Sequence, residues 1–127
     1  MDGTVSGLGS SMLRSGVDLS VVLPVVTDPH QFDSILLLAA TINETCSSLR
    51  SGSLISLAGI HPAEENYREH LSLIKQEGFR GIKVHPNYQG VLFSDNRCKR
   101  LLYAASEVGL LVVTNAGYAT YTPKEDY

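Results

Sequence analysis

What this sequence lacks narrows it first. No apolar run approaches the roughly 18 residues that a membrane-spanning helix needs, and Met1 to Gly7 has neither the basic nor the apolar region of a secretory leader. Basic residues number ten against thirteen acidic ones, are scattered, and leave a net charge of −3. That removes the electrostatic footprint of a nucleic-acid binder and the basic patch of a membrane-surface protein. The two cysteines, Cys46 and Cys98, have no metal or redox spacing, which reads as buried free thiols in a reducing cytoplasm. No Gly-x-Gly-x-x-Gly follows a strand-like run, no phosphate-binding glycine loop occurs, and no Ser or Cys sits in a nucleophile elbow. Asn43-Glu44-Thr45 fits a glycosylation acceptor, but nothing else suggests secretion.

What is present is a chain of 127 residues, 43% hydrophobic and 18% charged, enough for one globular domain with a core of its own. Val5, Leu8, Met12 and Leu13 fall at helical spacing, with Gly16 as a stop. Ser20 to Val26 comes next, β-branched and apolar without alternation, as in a strand covered on both faces. Pro24 within it cannot donate to a ladder and predicts an edge position or a bulge. Asp28-Pro29 opens a second helix, whose apolar face includes Phe32, Ile35, Leu36, Ala39, Ala40 and Ile42. A Ser-rich link over 47–53 returns the chain to a strand from Leu54 to Ile60, closed by His61-Pro62.

A third helix carries Ala63, Tyr67, Leu71 and Ile74, with Glu64 and Glu65 near its positive end and His70 at the surface or boundary. Gly78 fits the left-handed position after that helix. Gly81 to Val84 is then a short buried strand, and His85-Pro86 ends it. Ser94 and Asp95 cap a fourth helix through Cys98, Leu101, Leu102, Ala105 and Val108. Gly109 stops it, and Leu110 to Val113 forms the last strand, running into Thr114-Asn115-Ala116-Gly117. Asp18 reads as a turn or capping residue. Lys83 is either an inward-pointing residue or a charge at a rim.

The expectation is therefore α/β: a partial (β/α)8, TIM-barrel-like segment over 1–118, with about four parallel strands alternating with four helices. Residues 119–127 read as an irregular tail. Right-handed crossovers place the strands side by side in sequence order. A closed barrel needs eight strands, so four leave an inner face and two edges open, an association hazard. An open doubly wound sheet is the alternative.

Several phrases carry a family resemblance. They are Asp2-Gly-Thr-Val-Ser-Gly, Gly16-Val-Asp-Leu-Ser-Val-Val-Leu-Pro-Val, Gly59-Ile-His-Pro, Gly78-Phe-Arg-Gly-Ile-Lys-Val-His-Pro-Asn-Tyr-Gln and Val112-Val-Thr-Asn-Ala-Gly. Together they make the chain resemble part of an amidohydrolase-related metal-dependent hydrolase. The resemblance implies a distorted (β/α)8 barrel of which these strands are the second to fifth. It also implies a small-molecule substrate, hydrolysed or decarboxylated by water activated on a divalent metal, zinc or similar. The family's His-x-His pair belongs to a first strand that this chain lacks, the fifth-strand histidine is here Asn115, and the later ligands are absent. An amide is a weak ligand where zinc prefers imidazole, thiolate or carboxylate.

Polar residues at the carboxyl ends of parallel strands are where such barrels keep their chemistry, which singles out His61, His85 and Asn115 as substrate-binding candidates. For the two histidines three readings stand: a strand-ending imidazole bonded to a neighbouring loop, a substrate-pocket or outer-sphere residue, or a direct metal ligand. Two histidines and an amide fall short of the three protein ligands of a catalytic zinc. The expectation is accordingly a truncated or degenerate amidohydrolase-type chain, inactive alone and holding no metal of its own. The alternative is a non-catalytic half-barrel that forms a homo-oligomer or completes a barrel with a partner.

Overall fold

A computed structural model describes residues 3–46 and 53–116. The link over 47–52 and the tail from 117 onward, with the expectations placed on them, lie outside the described residues. The chain runs through α1 (Val5–Ser15), β1 (Leu19–Val22), a 3-10 turn (Pro29–Gln31), α2 (Phe32–Cys46), β2 (Ser53–Ser56) and β3 (Ala58–Gly59). It continues through α3 (Tyr67–Gln76), β4 (Gly81–Val84), α4 (Pro86–Gln89), α5 (Asn96–Glu107) and β5 (Leu111–Thr114). All strand pairs are parallel: β1 with β2, and β3 with β4 with β5. The class is α/β, built on small parallel sheets.

Local chemistry sets the helix ends. Thr4 Oγ1 accepts the Gly7 N–H at 3.0 Å to open α1, and Gly16 closes it at φ 68°, the left-handed conformation that glycine adopts without steric cost. Asp28 caps the 3-10 turn by accepting the His30 N–H at 2.8 Å, while Gln31 Oε1 accepts the Asp28 N–H in return. Asp95 Oδ1 accepts the Arg97 N–H at 2.8 Å to open α5.

Three expectations need correction. The strand expected over Leu54 to Ile60 breaks at Leu57 into β2 and β3, although the Leu57 N–H still reaches Val22 O at 3.0 Å. At the break, the α2 side chain of Asn43 takes both backbone groups of Ser56: Nδ2 donates to its carbonyl at 3.1 Å and Oδ1 accepts its N–H at 2.7 Å. A side chain thus replaces a ladder partner, and the amide of the apparent glycosylation triplet is committed inside the fold. Second, β1 ends at Val22, before Pro24, and is not covered on both faces. Leu19 and Val21 are exposed while Ser20 and Val22 are half-buried. Third, the four-strand, four-helix count becomes five of each among the described residues, the extra helix being the single turn α4.

Register explains the exposure. Paired residues in a parallel sheet share a face, and Ala58, Ile82 and Val112 form one row. These, with Ile60 and Val84, pack against Phe32, Leu36, Leu71, Ile74, Leu101 and Ala105 from α2, α3 and α5. A smaller cluster of Met12, Ile42 and Leu54, with Val22 against it, joins α1 and α2 to the first sheet. The opposite rows, Leu19 and Val21 on β1, Leu111 and Val113 on β5, carry no helix; their exposures run from 36% for Val113 to 67% for Leu111. The inner strands β3 and β4 are buried along their whole length. In β4, Gly81 sits where an added Cβ would lie 2.7 Å from Leu111 O and 2.9 Å from Leu111 Cβ.

Gly81→Ala should therefore push β4 and β5 apart and lower stability by about 1–3 kcal/mol, the cost of overpacking a filled site. Chemical denaturation of the variant measures it; unchanged stability would mean that the two strands are not this close.

Candidate functional site

Gly59, Lys83 and Val113 share a row, and His61, His85 and Asn115 each come two residues later, so the three expected site residues stand at one level beyond the carboxyl ends of β3, β4 and β5. What holds that level together is Gln89, closing the α4 turn. Gln89 is buried, and its Nε2 donates to Val26 O at 2.9 Å and Ile60 O at 3.0 Å, while its Oε1 accepts the His85 N–H at 2.9 Å. One side chain thereby ties the segment after β1 to the ends of β3 and β4. In the sequence it is an ordinary glutamine before a glycine, with nothing to set it apart from a solvated one.

His61 is 6% exposed and both its ring nitrogens are engaged. Nδ1 accepts the Ala63 N–H at 3.0 Å, which places the proton on Nε2, and Nε2 donates to Gln89 O at 3.0 Å. Burial holds its pKa below the ordinary 6.5 against the opposing pull of that carbonyl. Ligating a metal would require breaking one of these bonds inside the fold. His85 is less enclosed: it caps α4, Nδ1 accepts the Tyr88 N–H at 3.4 Å, and the ring stacks on Tyr88 at 4.0 Å. Its pKa is also lowered, by burial and then by the Lys83 charge. Lys83 is an inward residue, 7% exposed, and its ammonium donates to Asn115 Oδ1 at 2.5 Å. The structure thus joins Asn115 to Lys83, and His61 to the Gln89 clip, while His85 meets that clip through its backbone.

Among the described residues no three His, Cys, Asp or Glu side chains converge as a metal site would require. With His61 committed on both nitrogens and an amide at position 115, the residues present do not fit the divalent metal that the resemblance implies. Cys46 and Cys98 are free; Cys98 is buried and burial pushes its thiol pKa up, whereas Cys46 is only half-buried, short of the expectation.

A second polar group went unforeseen. Glu64 precedes α3 and is buried, not a solvated charge at a helix end, and its Oε2 lies 2.7 Å from Nδ1 of His70, whose ring stacks on Phe32 at 3.8 Å. The pair is an ion pair when the imidazole carries a proton. Burial raises the Glu64 pKa and His70 pulls it back. Arg100 donates to the carbonyls of Pro62 and Glu64 and lies 4.5 Å over the Tyr67 ring. This cluster joins α3 to α5 beneath the His61-Pro62 turn.

The site also includes a cleft of about 510 Å³ at the ends of β4 and β5, lined by α4, the loop before α5 and the first turns of α5, with Asn115 at its edge. No protein-family model, curated protein or solved structure matches the chain. No helix among the described residues is long and apolar enough to cross a membrane.

His61→Ala should cost about 1–3 kcal/mol, because the Ala63 N–H and the Gln89 carbonyl lose their partners inside the fold. The folded-state pKa of His61 lies below the unfolded value near 6.5, so the unfolded chain binds the proton more readily. Its contribution is present above pH 6.5 and is lost as pH falls through the folded pKa. Denaturant titrations of wild type and His61→Gln should converge as pH drops from 7 to 5; a constant difference would contradict the neutral, doubly bonded imidazole.

Proposed function

We propose that this chain is a degenerate amidohydrolase-type half-barrel that associates with a second copy of itself and does not turn over substrate alone. The observation that carries this reading is the unpartnered sheet face. Leu19 and Val21 on β1 and Leu111 and Val113 on β5 are exposed apolar residues on the side of the strands opposite the helices. Each exposed Leu or Val is worth about 1 kcal/mol if half of its surface is withdrawn from water. Strands that succeed one another in sequence order with helices on one side are the arrangement of a (β/α)8 barrel, which closes at eight strands. Counting the broken β2–β3 run as one position, each copy has four and two copies supply eight, and the open edges of β1 and β5 are where such copies would meet.

The loss of chemistry rests on His61 and Asn115. One imidazole is spent on the fold, and the other residue is an amide held by Lys83. Metal-activated water is the chemistry of the family that the chain resembles, and these side chains do not provide its ligands. The fold position of His61, His85 and Asn115 supports descent from a substrate-binding edge, which is the second reading of this surface.

The oligomeric prediction is a dimer by light scattering at about 100 μM, a concentration within the ordinary range of protein–protein affinities, converted to monomer by Leu111→Lys with Val113→Lys. A cooperatively folded wild-type monomer at that concentration would defeat the association reading. Zinc titration should give no binding at micromolar metal; micromolar affinity lost in His61→Ala and His85→Ala would defeat the degenerate one.

A further inference from the structure

The cleft beside Asn115 has a chemistry of its own. Its volume of about 510 Å³ is within the range of small-molecule sites. Val91, Leu92, Phe93 and Leu102 supply apolar walls, and Leu92 and Phe93 are about half exposed. Such side chains would gain from being covered. Thr114, which also lines it, shares a row with Val84 on the helix-covered side. Asn115 continues the opposite row, that of Val113, so the cleft wraps around the end of β5 and does not lie on the open face alone.

The polar lining is Asn87, Ser94, Lys99, Thr114 and Asn115, and Lys99 is its one charged side chain among the described residues. An ammonium can only donate, so the Lys83 bond fixes Asn115 with Oδ1 toward Lys83 and the Nδ2 donors turned away from it. Lys83 is itself only 7% exposed, a cation placed behind that amide where solvent screens it poorly. Lys99, exposed in the first turn of α5, adds a second cation, in the lining itself. No acidic side chain lines the cleft among the described residues. The nearest one in sequence, Asp95, is neutralised by Arg97 at 2.9 Å, and that partnership holds its pKa down at about 2.

One cation in the lining, a second behind Asn115, and no acid among the described lining residues favour an anionic ligand, and the apolar wall favours one with an apolar body. We propose that this cleft binds a small amphipathic carboxylate, its apolar part against Leu92, Phe93 and Leu102 and its acid group at Asn115 and Lys99. Lys83 acts from behind as a positioning residue: it orients the Asn115 amide and adds charge without lining the cleft.

The test uses the full chain, isotope-labelled, titrated with 4-phenylbutyrate and separately with its neutral amide, 4-phenylbutanamide, while backbone amide resonances are monitored. The acid should shift the Leu92, Phe93, Thr114 and Asn115 amides and bind at least about fivefold more tightly than the neutral amide, the scale of one partly exposed charge contact. Lys99→Gln, at an exposed position, should reduce that preference. Asn115→Asp, which keeps the shape but replaces the donor by a carboxylate, should abolish it while the neutral amide still binds. Shifts confined to other residues, no shift at millimolar probe, or a preference below about fivefold would overturn the proposal. So would a preference unaffected by both substitutions. The variants' amide spectra away from the cleft report whether each is folded.

Discussion

Everything else in this protein depends on one asymmetry: its helices cover a parallel sheet from one side. The row Ala58, Ile82, Val112 and its neighbours Ile60 and Val84 meet α2, α3 and α5, and that contact supplies the main core. β4 sits between two parallel neighbours and is buried throughout, whereas β1 and β5 alternate exposed and half-buried residues. A parallel sheet is ordinarily hidden on both faces because crossover helices or barrel closure hide it. Here one face of the outer strands keeps Leu and Val in water, a condition that association would relieve.

The second constraint is polar. At the carboxyl ends of the strands the chain must turn while its backbone groups remain bonded, and the buried amide of Gln89 does most of this by bonding to Val26, Ile60 and His85 together. His61 closes the same knot through the carbonyl of Gln89. Both ring nitrogens of His61 are thus used to hold loops together. Asn115 is different: it is exposed, held from one side by Lys83, and still has donors to offer.

Much of the fold was legible because it is written in local signals. Gly16 and Gly78 end or succeed helices at positive φ as expected, Asp28-Pro29 and Asp95 start them, and β4 runs over Gly81–Val84 as the short apolar run implied. The departures come from long-range partners that periodicity does not carry. Asn43 breaks a continuous strand from thirteen residues away. The apolar run at β1 suggested covering on both faces, but hydrophobicity reports what a strand would bury, not whether a neighbour is there to bury it. Of the candidate site, the positions of His61, His85 and Asn115 could be read from strand ends. The Gln89 clip, the Glu64–His70 contact and the Lys83–Asn115 pair could not, since each joins residues remote in sequence or unremarkable in type.

If the uncovered face is the decisive feature, covering it must protect the strands that bear it. The most direct measurement is amide hydrogen exchange in β1, β4 and β5 over a range of protein concentration. Protection of Leu19–Val22 and Leu111–Thr114 that rises with concentration, while β4 stays constant, is the predicted result. Equal protection of β1 and β5 at every concentration would mean that the open face stays open and that this chain does not complete its fold with a second copy.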